Sequence, residues 1–139
     1  MTQNQVIQQI KMFYCSHLKL RQYLNSLEKD SGSLGIYTTK NRIENEIANF
    51  QKCYTQYCGM DIYKELNNIL IVEFHNIMDI KIIKNEIVAL NSISNKILTN
   101  IIAKQQFKDC IIQISTEYRK IYQIIKQNRV PIVLINISK

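Results

Sequence analysis

The most reactive side chains in this 139-residue chain are four cysteines and two histidines. A zinc site or a nucleophilic centre would need several of them at suitable spacing. Cys15 and His17 are two apart, so on a helix they point to different faces. Cys53 and Cys58 are five apart, outside the gap of about two to four that zinc sites use. Cys110 stands alone in an apolar stripe, so we expect all four cysteines to behave as small buried hydrophobic residues with reduced thiols.

Other components of enzyme chemistry are also missing from the sequence. The three glycines, at positions 32, 35 and 59, do not have the spacing of a phosphate-binding or dinucleotide-binding loop. His75 lies next to a possible helix break and is more typical of a solvated or core histidine than of a general base. Glu44 and Glu46 suit the start of a helix rather than acid–base catalysis. We therefore predict a protein that is not an enzyme, with no catalytic residue, no cofactor and no metal site.

The segment 116-TEYRKIYQIIKQNR-129 is the best candidate for a functional surface. An apolar stripe with steps of four and three residues assigns one helix face to the core: Phe107, Ile111, Ile114, Tyr118, Ile121 and Ile125. The residues outside that stripe form our candidate nucleic-acid site: Arg119, Lys120, Gln123, Lys126, Gln127, Asn128 and Arg129. Arginine and lysine can bind phosphates, and glutamine and asparagine can read base edges. The alternative is that these cations only complement the helix dipole and cap free carbonyls.

The same segment resembles the third helix of a homeodomain, with a Thr-Glu start, an aromatic residue and a Gln-Asn-Arg run. The resemblance covers residues 116–129, needs a shift of one residue and lacks the family's core tryptophan, so it does not assign the chain to that family. It implies that Asn128 and Arg129 would face DNA.

A second, weaker basic cluster lies near the start of the chain. It consists of four cations and two aromatic residues: Lys11, Lys19, Arg21, Lys29, Tyr14 and Tyr23. Aromatic rings between cations can stack on exposed bases. At helical spacing the same rings are typical of the edge of a core.

The charge of +7 is concentrated at the two ends of the chain. Residues 1–58 hold a surplus of three positive charges, residues 59–106 balance, and residues 107–139 hold a surplus of four. Basic ends favour nucleic acid, an anionic membrane or an acidic partner protein, although solubility alone also explains them. We find no secretory signal and no apolar run long enough to span a membrane, so we expect an intracellular protein, nuclear rather than organellar.

Hydrophobic periodicity predicts an all-α fold, a single bundle of four or five helices in one domain spanning residues 1–139. The predicted helices cover about 3–28, 41–58, 61–77, 79–106 and 107–129. Loop 30-DSGSLG-35 separates the first two, and a capping box of Asn41 and Glu44 begins the second. Gly59 suits the position after its last turn.

Two segments are less regular. Residues 68–84 fit a helix better than a hairpin, but both readings remain open. The tail at 131–139 follows Pro131 and alternates like an extended arm.

These features predict an accessory subunit rather than an independent enzyme. The middle segment is rich in isoleucine on more than one face, and a bundle of this size needs a partner protein to cover such surfaces. We therefore predict a helical subunit of a larger hetero-complex that contacts DNA or RNA through its C-terminal helix. The alternatives are a protein–protein scaffold without nucleic-acid contact and a subunit of an organellar complex lying against a membrane.

Overall fold

The structure, a computed structural model, describes residues 2–31, 34–62, 66 and 80–128. It contains four long α-helices, which we number in chain order: α1 (Gln3–Ser31), α2 (Leu34–Cys58), α3 (Ile80–Leu98) and α4 (Gln105–Asn128). No strand occurs within these ranges. The predicted all-α bundle is therefore confirmed for the described part of the chain, while the tail at 131–139 lies outside it.

The four helices pack in a ring in which α1 contacts α2 and α3, and α4 contacts α2 and α3. Neighbouring helices run antiparallel. Gln3 at the start of α1 donates a hydrogen bond to Tyr57 at the end of α2 (2.6 Å), and Tyr57 packs on Phe107 at the start of α4. Consequently α2 and α3 run in the same direction on diagonal corners, unlike a simple up-and-down bundle, and α2 ends at the opposite end of the bundle from the start of α3.

For α4, the core contains the residues that the helical periodicity assigns to it, whereas Ile101, which the same periodicity assigns to the stripe of the helix predicted at 79–106, lies beyond the end of α3 and is exposed. All six apolar stripe residues of α4 are at most 2% exposed. Near the centre of the core, the Phe50 ring lies 5.5 Å from Phe13, 5.9 Å from Tyr14 and 5.7 Å from Phe107, measured between ring centroids. This aromatic cluster joins α1, α2 and α4.

Helix α2 begins earlier than predicted. It starts at Leu34, so the capping box at Asn41 and Glu44 is wrong and both residues lie inside the helix. The physical reason is burial: Ile36 and Thr39 are at most 5% exposed and extend the apolar stripe of α2 back by two turns. Gly59 is confirmed as the residue that ends this helix, with φ of 72° and its N–H donating to the Thr55 carbonyl.

The predicted helix at 79–106 is too long, because α3 ends at Leu98. The chain then turns without glycine or proline. Asn100 forms the turn: its side-chain oxygen accepts a hydrogen bond from the Ile102 N–H (2.9 Å), and its carbonyl accepts one from the Ala103 N–H (3.3 Å). Of the predicted helix at 61–77, positions 61, 62 and 66 are described: 61 is exposed and not helical, whereas 62 and 66 are helical and buried. The helix-or-hairpin choice at 68–84 is described only over its helical end, 80–84.

Candidate nucleic-acid interface

The structure places four of the seven candidate residues on the outer face of α4. Arg119, Lys120, Gln123 and Lys126 are all exposed, as the apolar stripe predicts. Positions 127 and 128 continue the helix, but their side chains, like the whole of position 129, lie outside the described residues.

Helix α3 adds a cation to this face. The ammonium group of Lys84 lies over the Tyr122 ring, 5.5 Å from its centroid, which is within the range of a cation–π contact. On α4, Arg119 and Lys126 are two turns apart and fall on the same side of the helix, to either side of Tyr122. We call the five residues Lys84, Arg119, Lys120, Gln123 and Lys126 the basic surface.

The cations of the basic surface are not equally free to bind an anion. Lys120 donates to Glu117 Oε1 at 3.0 Å, so part of its charge is already balanced. Arg119 donates a hydrogen bond of 3.2 Å to a neutral group, the Thr116 hydroxyl. Arg119, Lys126 and Lys84 therefore carry most of the positive potential here.

The basic cluster of α1 does not form a comparable surface. Tyr14 is fully buried, and its hydroxyl accepts a hydrogen bond from Gln51 Nε2 at 2.7 Å. Arg21 donates two hydrogen bonds of 2.8 Å to the Glu44 carboxylate. These contacts place Tyr14 and Arg21 in the packing between α1 and α2. They therefore belong to the core and its edge rather than to a surface that could stack on bases. The side chain of Lys29 lies outside the described residues.

Sequence reasoning missed a buried polar group that connects three helices. His17 of α1 is fully buried, and its Nδ1 lies 2.6 Å from the hydroxyl of Tyr118 on α4. Its Nε2 has no hydrogen-bond partner and lies 3.9 Å from Glu44 Oε1 on α2. A bare Nε2 lone pair would repel that carboxylate, so the favoured form is neutral, with the proton on Nε2 and the Tyr118 hydroxyl donating to Nδ1.

Burial keeps both members of this pair uncharged. It lowers the pKa of His17 well below its usual range, and the positive charge of Arg21 lowers it further. Burial also raises the pKa of Tyr118 well above its usual range, with the Glu44 charge adding to the effect. The nearby carboxylate therefore does not make His17 one half of a salt bridge.

This arrangement predicts that the protein loses stability in mild acid. Unfolded His17 has an ordinary pKa near 6.5, so below that pH the unfolded chain binds a proton that the folded chain excludes. The free energy of unfolding should be undiminished above pH 6.5 and fall by up to about 1.4 kcal/mol per pH unit as the pH drops from there towards the lower, folded-state pKa. The charged and titratable groups facing His17 are Tyr14 and Arg21 of α1, Glu44 of α2 and Tyr118 of α4.

Urea unfolding between pH 7 and pH 5 measures this slope. His17→Asn is the matched variant, because its amide oxygen can accept the Tyr118 hydrogen bond while the side chain does not titrate. The variant should lose this part of the pH dependence. An unchanged slope in His17→Asn would show that other groups cause it.

The described cysteines and histidine do not form a metal centre. No three His, Cys, Asp or Glu side chains in the described ranges are grouped to hold a metal ion. Cys15 is half-buried beside a groove between α1 and α3, whereas His17 points into the core, so the prediction that the two face different ways is confirmed. All four cysteines are free thiols.

Comparison with known proteins gives no assignment: no family model, no curated protein and no solved structure matches the chain. Among the described helices, none combines the length and the apolar character that crossing a membrane requires.

Proposed function

We propose that this protein is a non-catalytic helical accessory subunit of a larger complex, and that it contributes nucleic-acid contact through the basic surface of α3 and α4. The observation that carries the proposal is the exposed set of cations on α4, joined by Lys84 beside Tyr122. Cations placed around an aromatic ring favour a polyanion that also presents flat bases.

The helix dipole does not account for this set of charges. Its effect is confined to the last turn of a helix, where Lys126 is the basic residue among those described. Arg119 stands nine residues before Asn128, the last described residue of α4, which corresponds to about 13 Å along the axis. Lys84 is the fifth residue of α3, nearer the start of that helix than its end, so the dipole does not favour a positive charge there. A phosphate-binding role explains all three positions.

The subunit half of the proposal rests on a different surface. Ile101 and Ile102 follow each other in the turn between α3 and α4 and are 94% and 43% exposed. Polar residues are usual in such a turn, so two exposed isoleucines favour burial against another protein. This turn and the basic surface lie towards opposite ends of α4, about 20–30 Å apart by helical rise, so a partner protein and a nucleic acid could bind at the same time.

The alternative is a purely protein–protein scaffold. It draws support from the exposed Ile101 and from the pairing of Lys120 with Glu117. A scaffold needs the apolar turn but not the basic surface, and this difference separates the two functions.

Affinity purification of the tagged chain from its own cells, with and without nuclease, tests the subunit assignment. We expect a partner protein to co-purify in equimolar amount and to stay bound after nuclease treatment. The variant Ile101→Ser/Ile102→Ser should no longer bind it. Val88→Ser/Ile112→Ser is the matched control, because those residues are 56% and 42% exposed elsewhere on the bundle. Equal loss or retention of the partner in both variants would reject the turn as the docking site. Loss of every partner with nuclease would reject the subunit assignment.

A further inference from the structure

Two of the four cysteines meet across the interface between α2 and α4. The register of these antiparallel helices is set by Tyr57, whose ring lies 5.6 Å from that of Phe107. Cys53 is one turn back from Tyr57 along α2, and Cys110 is one turn on from Phe107 along α4. The two thiols therefore occupy the next level of the interface, where they are within hydrogen-bonding reach of each other.

This pair of thiols is open to solutes from one side. Cys53 and Cys110 both line an open groove of about 620 Å³ between α2 and α4. Polar residues from both helices line the same groove: Asn49, Lys52, Gln56, Gln106 and Gln113. Cys53 is half-buried, whereas the Cys110 residue is only 7% exposed. A reagent in the groove therefore meets Cys53 first.

We propose that Cys53 and Cys110 form a redox-active dithiol site that is oxidised to an intramolecular disulfide by a small-molecule disulfide such as oxidised glutathione. The Cys53 thiolate attacks one sulfur of that reagent, forms a mixed disulfide and expels the first small thiolate. Cys110 then loses its proton and attacks the Cys53 sulfur, forming the Cys53–Cys110 bond and expelling the second. The two protein thiols give up two electrons and two protons, and one small disulfide becomes two small thiols.

The surroundings make the second step the slower one. Burial is the largest of the causes that together raise the pKa of Cys110 to about 12; the neighbouring Cys53 and the carboxylates of Glu46 and Asp109 act in the same direction. Only the deprotonated form of Cys110 can attack the mixed disulfide. Formation of the Cys53–Cys110 bond should therefore accelerate as the pH rises. The mixed disulfide at Cys53 should accumulate first.

The other two cysteines are poorly placed to compete. Cys58 lies on α2 itself, five residues beyond Cys53, and two such positions on one helix do not face each other. Cys15 lies on α1 and lines the groove between α1 and α3. Both serve as internal controls.

The test is oxidation of the folded, full-length chain by excess oxidised glutathione at mildly alkaline pH, followed by intact-mass analysis and peptide mapping. We expect loss of two hydrogen atoms, a cross-linked peptide pair containing Cys53 and Cys110, and no such product from Cys53→Ala or Cys110→Ala. Cys58→Ala and Cys15→Ala should form the bond like the wild type. Because the bond would join distant parts of the chain, the oxidised protein should melt about 10 °C higher than the reduced protein.

Two results would overturn the proposal. One is a stable mixed disulfide at Cys53 that never closes onto Cys110. The other is a different pairing, or no reaction in the native protein at all. The peptide map of the wild-type chain decides between these outcomes even if an alanine variant fails to fold.

Discussion

The double variant Arg119→Glu/Lys126→Glu is expected to bind a short nucleic acid roughly 60-fold more weakly than the wild type at about 0.1 M salt. Each phosphate contact releases counterions, and the logarithm of the binding constant falls with the logarithm of salt concentration by about 0.9 per contact on duplex DNA. Two lost contacts therefore cost close to two logarithmic units at this salt concentration. Both side chains are exposed, so the reversal should leave the fold intact.

Fluorescence anisotropy with labelled DNA and RNA at several salt concentrations measures both the affinity and the salt slope. The slope should become shallower by about two units in this variant. Lys52→Glu/Lys96→Glu is the matched control, because it changes the net charge equally at exposed positions outside the basic surface. Equal weakening in both variants would show that only net charge matters. Binding of the wild type that is insensitive to salt would reject phosphate contact.

The part of this surface that was predictable from the sequence depends on one helix alone. Once the apolar stripe of α4 is recognised, the 3.6-residue period fixes which side chains face outward. Arg119, Lys120, Gln123 and Lys126 are exposed for this reason. The same periodicity predicted the burial of the six stripe residues of α4, all at most 2% exposed, because burial of an apolar stripe is the main force that holds such a helix in place.

The features that sequence reasoning missed all depend on the register between helices. Lys84 joins the basic surface from α3, and His17 meets a hydroxyl 101 residues away. Cys53 and Cys110 also lie on different helices. Periodicity says which face of each helix is buried, but it does not say which residue of another helix lies opposite. Residue pairs that stay the same across related sequences could reveal such contacts. A single sequence contains no local signal for them.

The errors in the helix boundaries have local causes. Asn41 and Glu44 have the residue types of a capping box. The burial of Ile36 nevertheless favours a helix that begins before them, at Leu34. Asn100 forms the turn after α3 through its side chain, in a stretch with neither glycine nor proline. A capping signal contributes only about 1 kcal/mol, so one well-buried isoleucine in the preceding turn is enough to outweigh it.

Replacing Phe50 by alanine is expected to lower the free energy of unfolding by about 3–5 kcal/mol. The ring is fully buried and lies within 6 Å, centroid to centroid, of Phe13, Tyr14 and Phe107, so its loss leaves a cavity where α1, α2 and α4 meet. The reduced protein has no covalent cross-link to limit that loss. Aromatic pairs also add about 0.5–1.5 kcal/mol each beyond the area that they bury.

Urea unfolding followed by far-ultraviolet circular dichroism measures this loss. Asn49→Ala, the exposed neighbour on the same helix, should change the stability by less than about 0.5 kcal/mol. Phe50→Leu should fall between the two, because leucine fills part of the cavity without restoring the ring contacts. A loss below about 1 kcal/mol in Phe50→Ala would mean that the three helices close around the gap, and that the aromatic cluster does not determine how they pack. A full loss would instead show that the aromatic cluster where α1, α2 and α4 meet contributes a large part of the stability. None of the cations of the basic surface belongs to that cluster, so they remain available for binding.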